Sequence, residues 1–385
     1  MTTGIRHATP PLAPVMARLA AEVAAPHADD VDRDARFPHE AVDALRAERL
    51  LSVLVPRDLG GAGCSVGEVA EMTRILAASC ASTAVVFATH QAQVECLARH
   101  GRTAALQSFL AEVADEQLLL GSAVAEAGVG DDLGASVCAL TRAGERFRLE
   151  KDAPVVLFAL HADAVLASCR RFPDSPTDEQ VLVLCRPPGL LLAPLGDDDV
   201  IGLRGAWGPG FHIEAEGTDD LILPDQFARV ASRTLQPVEH ILWSAAWLGI
   251  ANAAVERARR FLREEPFARL TPAAATRLSE LSAAQQQMDE LVRSGARRYD
   301  LVGDDDATGT MRFAISMNNL QLTSARLVVE IVTRALSICG MAGYREGSPY
   351  GLGRLLRDAH GAGLMVNSDH IVATNAKMLL LSEET

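Results

Sequence analysis

Apolar residues in the first third of the chain recur at steps of three and four. The stretches "PPLAPVMARLAAEVAAPHADD", "HEAVDALRAERLLSVL" and "VGEVAEMTRILAASCASTAVVFATHQAQVECLARHG" each carry such a stripe, and the spacing predicts helices that bury one face. A glycine-rich break, "PRDLGGAGCS", separates the second from the third. No strand precedes it and no Gly-Lys-Ser/Thr follows, so it predicts a turn and not a phosphate loop. The period changes near residue 117. Short β-type runs follow, among them "LLLGSAVAE", "FRLEKDAPVVLFAL", "DAVLASC" and "EQVLVLCRP", with Gly, Pro and Asp between them. They predict a small antiparallel β domain. From about residue 231 the helical period returns. Ile241, Ala245, Leu248, Ala251, Val255, Ala258 and Leu262 form one stripe, and helical segments follow at about 271–300, 306–340 and after 362. The expected organisation is a helical domain over 1–116, a β domain over 117–230 and a terminal helical bundle over 231–385: a mainly α protein with a β insert.

Composition sharpens this picture. The chain has 385 residues, 49% of them hydrophobic but only 4% aromatic, which suits helices packed with aliphatic side chains. Its net charge of −14 argues against a nucleic acid or an anionic membrane as partner. No apolar run is long enough to span a bilayer, and the first residues lack the apolar core of a secretory signal. The seven cysteines are scattered, with no C-x-x-C pair. That pattern predicts reduced thiols in a cytoplasmic protein, with neither a disulfide framework nor a zinc site.

Five stretches, in order, resemble the acyl-CoA dehydrogenase family. "VPRDLGGAG" resembles its P-x-x-x-G-G-x-G turn. "TAVVFATHQ", with His90, resembles a helix near the acyl pocket. "AVAEAGVGDDLGA" (123–135) resembles the T-E-P-x-x-G-S-D loop. "CGMAGY" (339–344) resembles G-G-x-G-Y, and "GRLLRDAHGAGLM" resembles the R-x-x-R-D-A segment. The likeness runs from about residue 15 to 382. It implies N- and C-terminal helical domains around a middle antiparallel β-barrel, a C-terminal four-helix bundle, bound FAD and a homotetramer. It also implies α,β-desaturation of an acyl thioester, CoA-bound or on an acyl or aminoacyl carrier protein, with the electron acceptor left open.

Desaturation takes the α-hydrogen as a proton and the β-hydrogen as a hydride to the flavin. A carboxylate in a dry pocket, its pKa raised by desolvation, suits the first task. Much of the family places this base in an E-G-T segment that follows R-D-A after six intervening residues. Here that position is Val366, with Asn367 and Ser368 after it. A subset of the family that includes isovaleryl-CoA dehydrogenase and the prolyl carrier-protein dehydrogenases places the base in a segment like L-E-R-L-V-L-A-G-G-x-L-G. Residues 238–249, "VEHILWSAAWLG", align with it without a gap, and Glu239 falls on its Glu. The competing explanation is ordinary helix chemistry: with Pro237 at N1, Glu239 sits at N3, where acidic residues are favoured in any helix. Asp369 is a third candidate, better suited to capping or a solvated surface.

Carried over position by position, the resemblance assigns flavin contacts to Val124, Glu126, Gly130, Asp131, Val155, Leu157, Gly340 and Ser368. Several of these depart from the family. Val155-Val156-Leu157 replaces Trp-Ile-Thr, so the hydroxyl expected near the flavin is gone. Asp131 replaces a serine, and Met341 replaces a glycine. Bland readings stand beside these assignments: Gly340 and Gly343 as a helix C-cap turn, His90 as a satisfied helix residue, Arg357-Asp358 as a structural ion pair. The primary expectation is a flavin-dependent dehydrogenase with Glu239 as base. A flavin monooxygenase on the same fold, or a non-redox member with a degraded flavin site, are the alternatives. Apolar residues on more than one face of the segment around Leu320, Val328, Ile331 and Leu336 predict a homo-oligomer, a tetramer or dimer.

Overall fold

The computed structural model describes residues 12–129, 133–196, 199–265, 272–303, 306–365 and 367–381. Gly130, Asp131 and Val366 lie outside the described residues. The N-terminal helices are α1 (Ala13–Leu19), α2 (Ala25–Arg33), α3 (His39–Ala47), α4 (Val66–Ser79), α5 (Ala81–His100) and α6 (Ala104–Glu116). Ser65 and Glu68 start α4 with a reciprocal capping box, each side chain taking the other's backbone N–H, which satisfies two donors that a helix start leaves open. α5 is buried over almost its whole length, so its stripe is not one-sided as the periodicity predicts.

Among the described residues seven strands follow: β1 (Leu120–Ala123), β2 (Thr141–Ala143), β3 (Arg146–Ala153), β4 (Ala164–Arg170), β5 (Gln180–Cys185), β6 (Leu190–Pro194) and β7 (Phe211–Thr218). They form two sheets, ordered β1-β4-β5 and β2-β3-β7-β6. Two expectations are corrected here. The pairing is not wholly antiparallel, because β1 runs parallel to β4. The described ladders also form two sheets and not one closed barrel.

Strand burial explains how the domains join. On β3 inward and outward residues alternate strictly, as expected where one sheet face meets solvent. β4 and β5 are buried on both faces. Val165, Ala167, Val181 and Val183 point into the β core, and Leu166, Leu182 and Leu184 into the helical core. The strand period of two delivers alternate residues to two different cores. Lys151 takes an inward position on β3. Its ammonium donates to Ser168 O at 2.8 Å and lies 3.5 Å from Glu126, so the buried charge is paired and hydrogen-bonded.

The C-terminal half comprises α7 (Phe227–Val230), α8 (Gln236–Glu264), α9 (Pro272–Val302), α10 (Met311–Cys339), α11 (Met341–Tyr344), α12 (Gly353–Gly361) and α13 (Ser368–Leu381). α8 packs against α4, α5, α9 and α10, and α13 against α10. The N- and C-terminal helices share one continuous core. Gly249 makes this possible: a Cβ there would lie 2.4 Å from Arg74 O and 2.5 Å from the Ala77 side chain on α4. Three of the four residues expected to need cover from another copy are covered within the chain, and the fourth, Leu336, is half-buried. Leu320, Val328 and Ile331 are buried, because α8 and α9 both pack on α10.

A π-turn over Ala231–Leu235 joins α7 to α8, and the residues at both junctions are right-handed helical. One continuous helical rod therefore runs from Phe227 to Glu264. Pro237 lies inside it. Proline cannot donate a backbone hydrogen bond and its ring crowds the carbonyl four residues earlier. The wider π-turn just ahead accommodates both effects. The same device recurs at Ala20–Ala24, just before Pro26.

Candidate active site

The continuous rod removes the capping explanation for Glu239. No free helix N-terminus exists at that point, so neither N3 capping nor a terminal dipole accounts for an acid there. Glu239 has no hydrogen-bond or ion-pair partner among the described residues. It keeps an opening to solvent, yet the protein around its carboxyl pushes the pKa up to about 8, and burial is the cause. No nearby cation offsets the desolvation, as one would for a structural carboxylate. On α5 the buried Cys96 thiol stands beside it. Burial, then the Glu239 carboxylate, push that thiol well above its ordinary range. Trp243, one turn along α8, is buried, and its indole N–H lacks a partner among the described residues.

A hydrogen-bond chain adjoins this point. Asp225 Oδ2 lies 2.7 Å from His100 Nδ1, and His100 Nε2 lies 2.8 Å from Thr234 Oγ1. His100 is the last residue of α5, and Thr234 lies in the π-turn. Burial lowers the His100 pKa against the pull of Asp225. The chain fixes α5 to the start of α8 and so fixes what Glu239 faces. Sequence reading missed it, because its three members are spread over more than 130 positions.

The six described positions assigned to the flavin divide into two groups. Val124 and Leu157 are half-buried and pack on the helical core from the β side, and Val155 lies beside Leu157. Two orphaned polar atoms lie on the same β side: the Ser122 hydroxyl on β1 and the Trp207 indole N–H. Trp207 sits next to the 155–157 segment, since Phe158 N donates to Ala206 O and Val156 N to Pro209 O. Apolar side chains with unpartnered donors among them fit a planar ring with a polar edge. In the second group each residue is engaged in local structure. The Glu126 carboxylate is buried, and burial alone would raise its pKa. Hydrogen bonds from Ser136 and from the Cys138 backbone, with the Lys151 charge, hold it below the usual range. Gly340 closes α10 at φ +56°, its N–H donating to Leu336 O, a conformation that favours glycine. Ser368 donates to Gly363 O.

The remaining candidates are structural in their contacts. His90 Nε2 lies 2.6 Å from Leu51 O, and its Nδ1 accepts from Leu120 N at 3.0 Å. It is thus a satisfied residue that pins α5 to β1. Arg357 and Asp358 do not pair with each other. Arg357 reaches Asp32, and buried Asp358 accepts from Leu203 N at 2.7 Å. Successive helical residues point about 100° apart, so side-chain pairing between them is disfavoured. Burial pushes Asp358 up to about 6. Asp369 is exposed, and the Asn367 side chain caps α13 by accepting from Asp369 N and His370 N. No group of three or more metal-ligating side chains lies together among the described residues.

Two helical regions around a β insert, with an enclosed unpartnered carboxylate where they meet, define a class of enzyme-like fold, and comparison with known proteins gives it a family. The N-terminal domain of acyl-CoA dehydrogenases matches residues 12–117, and their C-terminal domain matches residues 228–365. The chain belongs to the acyl-CoA dehydrogenase family. It is 30% identical to the amino sugar nitrososynthase DnmZ of Streptomyces peucetius, over 87% of this chain and 84% of that one. It is 24% identical to cyclohex-1-ene-1-carbonyl-CoA dehydrogenase of Syntrophus aciditrophicus (strain SB), over 89% and 82%. In fold it is similar to FMN-bound TdsC, a dibenzothiophene monooxygenase of Paenibacillus sp. A11-2. The TM-score is 0.84 with 20% identity, covering 96% of each chain.

Proposed function

We propose that this protein is a flavin-dependent dehydrogenase that removes the α-proton of an acyl thioester with Glu239. One observation carries the reading: an enclosed carboxylate without a cation, its pKa raised by burial alone to about 8. Once ionised, such a carboxylate is a stronger base than one in water and suits proton abstraction from carbon. The cofactor is a flavin, supported by the family and by the flavin-bound relative, and FAD is the form proposed. When bound, it supplies the two-electron acceptor for the β-hydrogen. Val124, Val155 and Leu157 would hold its ring from the β side, with Gly130, Asp131, Gly340 and Ser368 completing the site and Glu126 bracing the loop after β1. Trp243 and Cys96 keep water from the carboxylate, which favours proton transfer from carbon. The thioester is carried by CoA or by a carrier protein.

A second reading has specific support. The relative at 30% identity is a nitrososynthase and the structurally similar protein is a monooxygenase, while Val366 replaces the acid usual in dehydrogenases. An oxygen-using enzyme would leave Glu239 without a task. The test is anaerobic: the flavin absorbance of the purified protein is followed on adding acyl thioesters. Loss of absorbance with thioester alone is expected. Flavin that changes only with an external reductant, followed by O₂ consumption, refutes dehydrogenation in favour of the oxygenase.

A further inference from the structure

The buried face of α5 that looks toward α8 carries polar residues at regular spacing. Ser82, Thr89, Gln93, Cys96 and His100 recur at steps of seven, four, three and four, which places them on one side of the helix. The two ends of this strip are satisfied. Ser82 accepts from Gly205 N, and His100 contacts Asp225 and Thr234. The middle is not. Gln93 is completely buried, and among the described residues neither its amide oxygen nor its amide nitrogen has a partner; Thr89 is 2% exposed and its hydroxyl is equally alone there. His100 meets Thr234 while Cys96 stands beside Glu239, so α5 and α8 run antiparallel. The next residues on the two facing sides are Gln93 on α5 and Trp243 on α8, and Trp243 Nε1 is a third unpartnered donor.

Groups of this kind are costly to leave unmade in a folded protein, and they concentrate where a ligand completes them. A plain hydrocarbon chain laid between Glu239 and this strip would leave every one of them unpaired. We infer that the site between α5 and α8 takes a substrate bearing a hydroxyl or amino group, hydrogen-bonded by Gln93, Thr89 and Trp243, and discriminates against a purely alkyl one. Gln93 offers both a donor and an acceptor, and the threonine hydroxyl can play either part, so the strip reads an O–H or N–H group from both sides. This rests on the reading of Glu239 as the base and narrows the class of substrate that reaches it.

The test uses two thioesters of equal size, 4-hydroxybutyryl-CoA and pentanoyl-CoA, which differ by hydroxyl against methyl. Binding to the flavin-loaded protein is measured by calorimetry. The hydroxylated thioester is expected to bind about tenfold more tightly. Gln93→Leu and, as a gentler second variant, Thr89→Val are expected to reverse or abolish that preference. In the ligand-free protein both substitutions are expected to raise Tm by a few degrees, since each removes an unpaired buried group. A wild-type preference for pentanoyl-CoA, a hydroxyl preference that survives both substitutions, or a fall in Tm for both overturns the inference. If neither thioester binds, the thioester reading itself fails. The pocket is then judged on 1,4-butanediol against 1-pentanol through tryptophan fluorescence: a diol preference lost in the variants upholds it, and equal or reversed affinity overturns it.

Discussion

At the residue scale the proposed chemistry rests on one carboxylate. Glu239→Gln keeps the size of the side chain and removes the basic site. It is expected to lower thioester-dependent flavin reduction on the order of a hundredfold or more, with flavin content and circular dichroism unchanged; stopped-flow absorbance checks this. The pH dependence follows from the raised pKa. A carboxylate base works only when ionised, so under this proposal kcat/KM should rise with pH through a limb near 8 and flatten above it. Stability runs the other way. Between its ordinary value of 4.5 and about 8 the folded state holds the proton that the unfolded chain releases. The contribution of this group is therefore intact below about pH 4.5 and lost as pH rises toward 8. The loss is on the order of a few kcal/mol. Glu239→Gln should flatten the Tm-against-pH curve over that window, and a curve unchanged by the substitution would show that the carboxyl is not enclosed.

At the scale of elements, α8 is placed by two residues that look minor in the sequence. Pro237 is accommodated by the π-turn ahead of it, which turns the following helix face and directs Glu239 inward. Gly249 lets α8 approach the α4 backbone. Gly249→Ala puts a methyl 2.4 Å from Arg74 O, and backbone cannot move aside cheaply. A destabilisation of about 1–3 kcal/mol is expected for such overpacking, read from chemical denaturation. An alanine variant as stable as the wild type would show that α4 and α8 can separate without cost.

At the scale of the whole molecule, large apolar side chains on the last elements of the chain stay exposed. Met341, Tyr344, Leu364, Leu379, Leu380 and Leu381 are all more than half exposed, on α11, α13 and the turn between α12 and α13. Each could be covered by another copy of the chain. A homo-oligomer is expected in solution, with Leu380→Asp shifting it toward monomer; light scattering at micromolar concentration decides. No helix among the described residues is long and apolar enough to cross a membrane. The oligomer expected from the sequence thus remains the prediction, but its basis moves from the middle of α10 to the C-terminal elements.

The sequence alone determined the order of elements, because helical and strand periods differ and each segment keeps its own. It also singled out Glu239, through a gapless twelve-residue likeness and the valine at 366. It could not decide between base and helix cap. That choice depends on whether the helix begins at 236 or continues from 227, a matter of backbone pairing across the π-turn that no local pattern encodes. Nor could it find the Asp225–His100–Thr234 chain, or distinguish the unpaired Gln93 from the satisfied His90 three positions earlier on the same buried helix. Both are polar residues in an apolar run. Only the packing of β1 and the Leu50–Leu51 turn on one side of α5, and of α8 on the other, determines which of them finds a partner within the fold.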